Sequence, residues 1–313
     1  MKKVVKIAGN LLMVAALIFL VKKIIGMDFD PAQLKQPPVL AALLLNTVVQ
    51  TGLILVTCYP WLLFTKALSG EKIPYAAAMP VYTKSNLYKY VPGNVFQYVG
   101  RNQLAADLQI RHVDVACATI SDILCCILGA VVVSVLLLGS TLADLLAQYG
   151  LQILLVGGIV LVVAAAGFAV VFWKWKEPVT KYLHRYRAAF SGKGIWNLGK
   201  GLGFYIVQNA GSALVYFIAL RLVFGPGTSF GELTALTGAF VFAWIIGFVT
   251  PGAPGGIGIR ESVMLFVCGG SNSDQILLFV LLMRISSIAA DVFACCIGQA
   301  YAWRKKKQLS SHS

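Results

Sequence analysis

The sequence has few of the residues that usually carry chemistry. Only three histidines occur, His112, His184 and His312, and no two of them have the spacing of metal ligands. A Gly-x-Ser-x-Gly nucleophile elbow is absent, and so is a phosphate-binding loop that ends in Gly-Lys-Ser/Thr. The sequence therefore predicts no zinc centre and no nucleotide loop, and we expect neither a metal nor a cofactor.

Charged residues are also scarce, at 12% of the chain, whereas hydrophobic residues make up 58% and the mean hydropathy is +0.80. A soluble domain has about 25% charged and about 45–50% apolar residues. This composition excludes a soluble globular protein and a disordered chain. It also excludes a basic nucleic-acid-binding domain, although the net charge is +14. The composition predicts an integral membrane protein.

Long apolar runs predict an all-α, polytopic membrane domain. A helix needs about 20 mostly apolar residues to cross a bilayer, and continuous rather than alternating runs favour helices over a barrel. We predict about eight transmembrane helices within a single domain, residues 1–313, and no soluble domain. The predicted spans are 4–25, 39–65, 113–139, 151–173, 200–223, 231–249, 258–270 and 275–302.

The distribution of cations predicts the orientation. Twenty of the 26 Lys and Arg residues lie in the N-terminal segment, in two connections and in the tail. These cation-rich segments alternate with cation-poor ones along an eight-span path. The positive-inside rule then places both termini in the cytoplasm of a multi-pass protein of the cell membrane.

Two stretches are too broken to cross as regular helices, yet too apolar to be simple loops: residues 73–101, the first broken segment, and 248–261, the second broken segment. Proline and glycine would interrupt a long helix in both. Such backbone is tolerated at membrane depth only against protein or a wet cavity. We therefore predict two re-entrant or broken-helix segments, shaped by Pro92, Gly93, Pro251, Gly252, Pro254, Gly255, Gly256 and Gly258.

The two broken segments share a spacing. Pro92 precedes Arg101 by nine residues, and Pro251 precedes Arg260 by nine residues. Many transporters are built from repeats whose paired broken helices lie near a central site. We therefore hypothesise an internal repeat, a hypothesis that widely separated broken segments would contradict. Its halves are about 1–150 and 151–303.

Five charged residues fall at membrane depth: Arg260, Arg284, Asp122, Glu261 and Asp291. One interpretation is internal ion pairing, and Arg284 with Asp291 suits it because they are two helical turns apart. The other is a polar path for an anion. Arg260 favours this path, since it follows a glycine-rich turn at a predicted helix N-terminus and can bind phosphate. Glu261 would then orient Arg260 or exchange protons.

The motifs resemble those of a known family. The second broken segment contains Pro254-Gly255-Gly256-Ile257-Gly258-Ile259-Arg260-Glu261, and the first contains Lys89-Tyr90-Val91-Pro92-Gly93-Asn94-Val95-Phe96-Gln97-Tyr98-Val99-Gly100-Arg101. Together with Arg284, these are similar to the flippase-like membrane domain of lysylphosphatidylglycerol synthases and their stand-alone relatives. The resemblance covers about 10–303 and implies an eight-span bundle with re-entrant segments that moves polar lipids between leaflets. Asp122 is the candidate for an acid that members carry after the first motif.

The chain stops soon after the flippase-like part, so we expect a stand-alone member that does not synthesise the lipid. The leading hypothesis is translocation of an anionic, zwitterionic or polyprenyl-phosphate-linked lipid, with Arg101 and Arg260 contacting its phosphate. One alternative is a membrane enzyme that modifies a lipid head group, by aminoacyl or glycosyl transfer. The other is a non-catalytic partner of such a synthase. Expected partners are membrane lipids, with a separate synthase or glycosyltransferase and a second copy of the chain as further candidates.

Overall fold

The computed structural model describes residues 35–90, 96–174, 192–250, 256, 258–268 and 273–310, and within them all regular secondary structure is helical. This confirms the predicted all-α class. Two short 3-10 turns, Tyr88–Tyr90 and Ala106–Leu108, accompany nine helices in this part of the chain. The helices are α1 Pro37–Val56, α2 Cys58–Ser69, α3 Tyr75–Leu87, α4 Phe96–Ala105, α5 His112–Lys174, α6 Gly192–Phe224, α7 Phe230–Val249, α8 Ile259–Cys268 and α9 Ser273–Ser310.

Local sequence explains where several helices begin and end. Pro37 opens α1, where its missing N–H has no intrahelical partner to lose. Gly70 ends α2 with a left-handed backbone (φ 77°), which glycine adopts without strain. Ser229 caps α7, because its hydroxyl accepts a hydrogen bond from the Glu232 N–H at 3.2 Å.

Five helical segments in the described part are long and apolar enough to cross a membrane: Pro37–Ser69, His112–Gly139, Gly192–Phe224, Phe230–Val249 and Ser273–Lys305. They correspond to the predicted spans 39–65, 113–139, 200–223, 231–249 and 275–302. A kink at Gly139 separates the second segment from the rest of α5, which continues as helix to Lys174. The predicted span 4–25 lies outside the described residues.

Three helices of the broken segments are too short to cross. The α3 helix has 13 residues, and α4 and α8 have 10 each. At about 1.5 Å per residue they reach about 15–20 Å, against about 30 Å of hydrocarbon. The run 258–270, predicted as a span, is thus a helix of about half the required length, and it lies between α7 and α9 in the chain.

The surface is more apolar than that of a soluble protein, and the interior holds several ionisable side chains beside its hydrophobic core. Large apolar side chains stand on the outside, including Phe230 (77% exposed), Leu136 (75%) and Val207 (73%). Ionisable side chains lie inside, including Arg101, Asp122 and Asp291, each at most 3% exposed. Lipid is the solvent that suits such an exterior, so the five long helices and this pattern identify a membrane protein.

The α5 and α7 helices approach so closely that there is no room for a side chain at Gly238 of α7. A Cβ atom added at Gly238 would lie 2.8 Å from the Leu138 backbone nitrogen. We therefore expect Gly238→Ala to lower the free energy of unfolding by about 1–3 kcal/mol, the usual cost of overpacking. Unfolding in detergent by added SDS measures the effect. Gly211→Ala, which meets nothing within 4 Å, is the control, and equal stability of both variants would contradict the prediction.

Candidate functional site

A cavity of about 230 Å³ lies among the helices, and both broken segments contribute to its wall. All the described helices except α2, together with the turn Tyr88–Tyr90, supply lining residues. The charged ones are Lys89, Arg101, Asp122, Arg260, Arg284 and Asp291. Arg101 and Arg260, which each follow a Pro-Gly pair at the same sequence spacing, therefore line the same cavity. Residues Pro92, Gly93, Pro251, Gly252, Pro254 and Gly255 lie outside the described residues.

Arg101, on α4, is held by three hydrogen bonds. Its Nη1 donates to Asp122 Oδ2 at 3.2 Å, its Nε to Ser85 at 3.2 Å and its Nη2 to Asn86 at 3.1 Å. The guanidinium also lies 4.0 Å from the centre of the Tyr82 ring. Because its charge is paired and its donors point in three occupied directions, Arg101 is a fixed part of the wall. Its predicted contact with a phosphate stays a prediction.

Asp122, on α5, is the carboxylate partner of Arg101. Its second oxygen accepts a hydrogen bond from the Tyr205 hydroxyl at 2.6 Å, and the carboxylate is 3% exposed. Asp122 thus joins α4 to α5 and α6 through two partners. The predicted acid at membrane depth is placed in the cavity wall with its charge compensated.

The second ion pair joins the first broken segment to α9. Lys89 Nζ lies 2.6 Å from Asp291 Oδ2, and the Tyr90 hydroxyl donates to the same oxygen at 2.5 Å. Asp291 is 1% exposed, so without Lys89 its charge would be buried without compensation. The sequence analysis named Lys89 as the first residue of the first motif but gave it no role in a site. Its position just before Pro92 was the signal that it belongs to the site.

The third ion pair joins the second broken segment to the same helix. Arg284 Nη2 lies 2.9 Å from Glu261 Oε2 and donates to the Gly256 carbonyl at 2.7 Å. The same Glu261 oxygen accepts a hydrogen bond from the Gly258 N–H at 3.0 Å. The first turn of α8 is therefore capped by its own carboxylate, and Glu261 makes its ion pair with Arg284 rather than with Arg260.

The predicted ion pair between Arg284 and Asp291 is wrong. Both lie on α9, but seven residues of helix separate their Cα atoms by about 10 Å, whereas side chains three or four residues apart are the ones that meet. Each side chain turns to a different broken segment instead, Arg284 to Glu261 and Asp291 to Lys89.

Arg260 lies in a slot formed by two glycines. A Cβ atom added at Gly247 would lie 2.9 Å from Arg260 Cγ, and one at Gly256 would lie 3.1 Å from Arg260 Nε. Gly256 and Gly258 have φ of 72° and 84°, so the turn before α8 uses conformations that glycine tolerates. The glycines of the motif thus leave room for the Arg260 side chain, which lines the cavity.

Arg260 differs from the other cations of the site. Its Nε is buried without a hydrogen-bond partner, and no ion pair to Arg260 occurs within the described part of the chain. Lys89, Arg101 and Arg284 each have a carboxylate. Within the described residues, the site therefore has one positive charge that no carboxylate balances.

Among the described residues, no group of three His, Cys, Asp or Glu side chains could hold a metal ion. No family model matches the chain, and neither a curated protein nor a solved structure matches it. The function therefore has to be inferred from the charges and hydrogen bonds of the cavity itself.

Proposed function

We propose that the chain moves a phosphate-bearing lipid between membrane leaflets, with its head group in the cavity and its acyl or prenyl chains in the surrounding lipid. The observation that carries the proposal is Arg260, a charged side chain that faces the cavity without a carboxylate partner among the described residues. Apolar outer faces beside a cavity with charged groups in its wall suit a cargo that has apolar chains and a charged head group.

The energetics favour an anion at Arg260. An arginine at the centre of a bilayer costs about 2.5–3.5 kcal/mol on insertion scales, and a partner or water has to offset that cost. A phosphate accepts two parallel hydrogen bonds from a guanidinium, which makes it a suitable partner. The first turn of α8 is already capped by Glu261, so we assign the phosphate to the Arg260 guanidinium.

The proposed architecture has eight spans and two re-entrant segments, with both termini cytoplasmic in the cell membrane. The short helices α3, α4 and α8 support the re-entrant segments, since none of them can cross a bilayer. That Arg101 and Arg260 line one cavity supports an internal repeat with halves of about 1–150 and 151–303. We propose membership of the flippase-like family on the same grounds.

Reconstitution tests the proposal. Proteoliposomes that carry tail-labelled fluorescent phospholipids report translocation as loss of inner-leaflet fluorescence to a membrane-impermeant quencher. We expect Arg260→Gln to slow translocation about ten- to hundredfold, because hydrogen bonds to charged groups are worth about 1.5–3 kcal/mol. Lys200→Gln, which changes an exposed cation outside the cavity, should keep the parent rate.

Two results would count against the proposal. If Arg260→Gln translocates at the parent rate, the phosphate role of Arg260 is wrong. If the parent protein moves neither phospholipids nor a polyprenyl phosphate, the transport function itself is wrong. Product formed from lipid and an activated donor by purified protein would then favour the enzyme alternative.

A further inference from the structure

We infer that the cavity selects a phosphodiester whose head group is uncharged and donates hydrogen bonds from hydroxyls, such as a glycerol or a single sugar. The inference rests on the proposed function, because it concerns the cargo of the same site. The acceptors for the hydroxyls are Asp291 and Gln208, to which sequence analysis gave no such role.

Unpartnered polar atoms concentrate at the cavity. Six buried side-chain nitrogen or oxygen atoms in the described part of the chain lack a hydrogen-bond partner, and four of them belong to cavity-lining residues. Two are donors, the Nε atoms of Arg260 and Arg284. Two are acceptors, Oδ1 of Asp291 and Oε1 of Gln208. Buried polar groups are normally hydrogen-bonded, so this clustering indicates a ligand that accepts at one part and donates at another.

The two acceptors sit on neighbouring helices. Asp291 uses only Oδ2 for Lys89 and Tyr90, which leaves Oδ1 unpartnered. Gln208 lies on α6 between two other lining residues, Tyr205 and Tyr216, at helical spacing. A bare phosphate could satisfy neither oxygen, because both need a donor.

The charges decide what kind of donor fits. Lys89 already neutralises Asp291, so a neutral hydroxyl satisfies Oδ1 without adding charge. Among the described residues the site has one unbalanced positive charge, at Arg260, and it matches the single negative charge of a phosphodiester. A phosphomonoester carries about −1.5 to −2 at pH 7 and would leave negative charge over. An ammonium in the head group would leave one positive charge unbalanced again. A choline head group has no donor at all.

The size of the cavity limits the head group. A cavity of about 150 Å³ can hold one benzene molecule, and this cavity has about 230 Å³. That space suits a phosphate with one small polyol or one sugar, and excludes an oligosaccharide held entirely inside.

A head-group comparison tests the inference. Proteoliposomes receive phospholipids with the same labelled tail and a glycerol, ethanolamine or choline head group. We expect the glycerol lipid to move at least about tenfold faster than the choline lipid, with the ethanolamine lipid also slower than the glycerol lipid. Two variants remove the acceptors: Gln208→Leu, and the charge-neutral double variant Lys89→Met with Asp291→Leu.

Both variants should bring the ratio of glycerol to choline rates towards one, while Gln103→Leu, an exposed position outside the cavity, should keep the parent ratio. If one variant fails to fold, the other carries the comparison. Equal rates for the three head groups in the parent protein, or a preference for ethanolamine or choline, would overturn this inference and leave lipid transport intact. No movement of any phosphate lipid would overturn the proposed function, and the inference with it.

Discussion

Asp122→Ala should be the most destabilising single substitution in the described part of the cavity wall, by about 3–5 kcal/mol. The substitution leaves Arg101, which is 3% exposed, without its carboxylate, and an uncompensated buried charge costs that much. SDS-induced unfolding of the detergent-solubilised protein measures the loss. Asp107→Ala is the matched control, because Asp107 is exposed in the 3-10 turn Ala106–Leu108.

Replacing both partners should restore most of the loss. The double variant Arg101→Met with Asp122→Leu puts apolar side chains of similar size where the pair was, and such replacements are often neutral or stabilising. If Asp122→Ala unfolds like Asp107→Ala, the ion pair does not hold the wall. The double variant also tests the predicted contact between Arg101 and the phosphate. Translocation at the parent rate would assign Arg101 to the wall alone.

Gly247→Ala should abolish most translocation while it leaves the fold in place. The added methyl would lie 2.9 Å from Arg260 Cγ, 3.2 Å from its Nε and 3.3 Å from Gly256 Cα, so the arginine side chain has to move out of the slot. Misplacing a reacting or binding group by about 1 Å can cost about a hundredfold in rate. Alanine is a better helix former than glycine by about 0.5–1 kcal/mol, which offsets part of the crowding.

The control for this second prediction is Gly203→Ala, a mid-helix position of α6 with nothing within 4 Å. Both variants should unfold at similar SDS concentrations, and only Gly247→Ala should lose translocation in proteoliposomes. An active Gly247→Ala variant would mean that the position of Arg260 in its slot does not matter for transport. A variant that unfolds early would show that Gly247 serves packing first.

The sequence predicted the class of fold from its composition and its long continuous apolar runs, because lipid requires apolar outer faces and helices satisfy their own backbone. The shared Pro-Gly…Arg spacing directed attention to Arg101 and Arg260, which the structure places in one cavity. Local spacing was enough here because each arginine lies on the short helix that follows the Pro-Gly pair of its own broken segment.

The partners of the buried charges could not be predicted in the same way. The sequence spacing of Arg284 and Asp291 suggests that they pair with each other. Their actual partners depend on which broken segment lies against which turn of α9. Gln208 gave only a weak signal, a polar residue within the apolar run 200–223. Tertiary contacts between segments more than 20 residues apart determine these pairings, and periodicity within one helix does not encode them.

Two of the ion pairs of the site have one partner on α9, so this helix sets the spacing between the other two partners. Asp291 holds the first broken segment and Arg284 holds the second, so the rise of one rigid helix sets the distance between the two. One residue inserted between positions 284 and 291 would turn one of them by about 100° and shift it by about 1.5 Å. The separation of the two broken segments at the cavity therefore depends on the number of residues between Arg284 and Asp291.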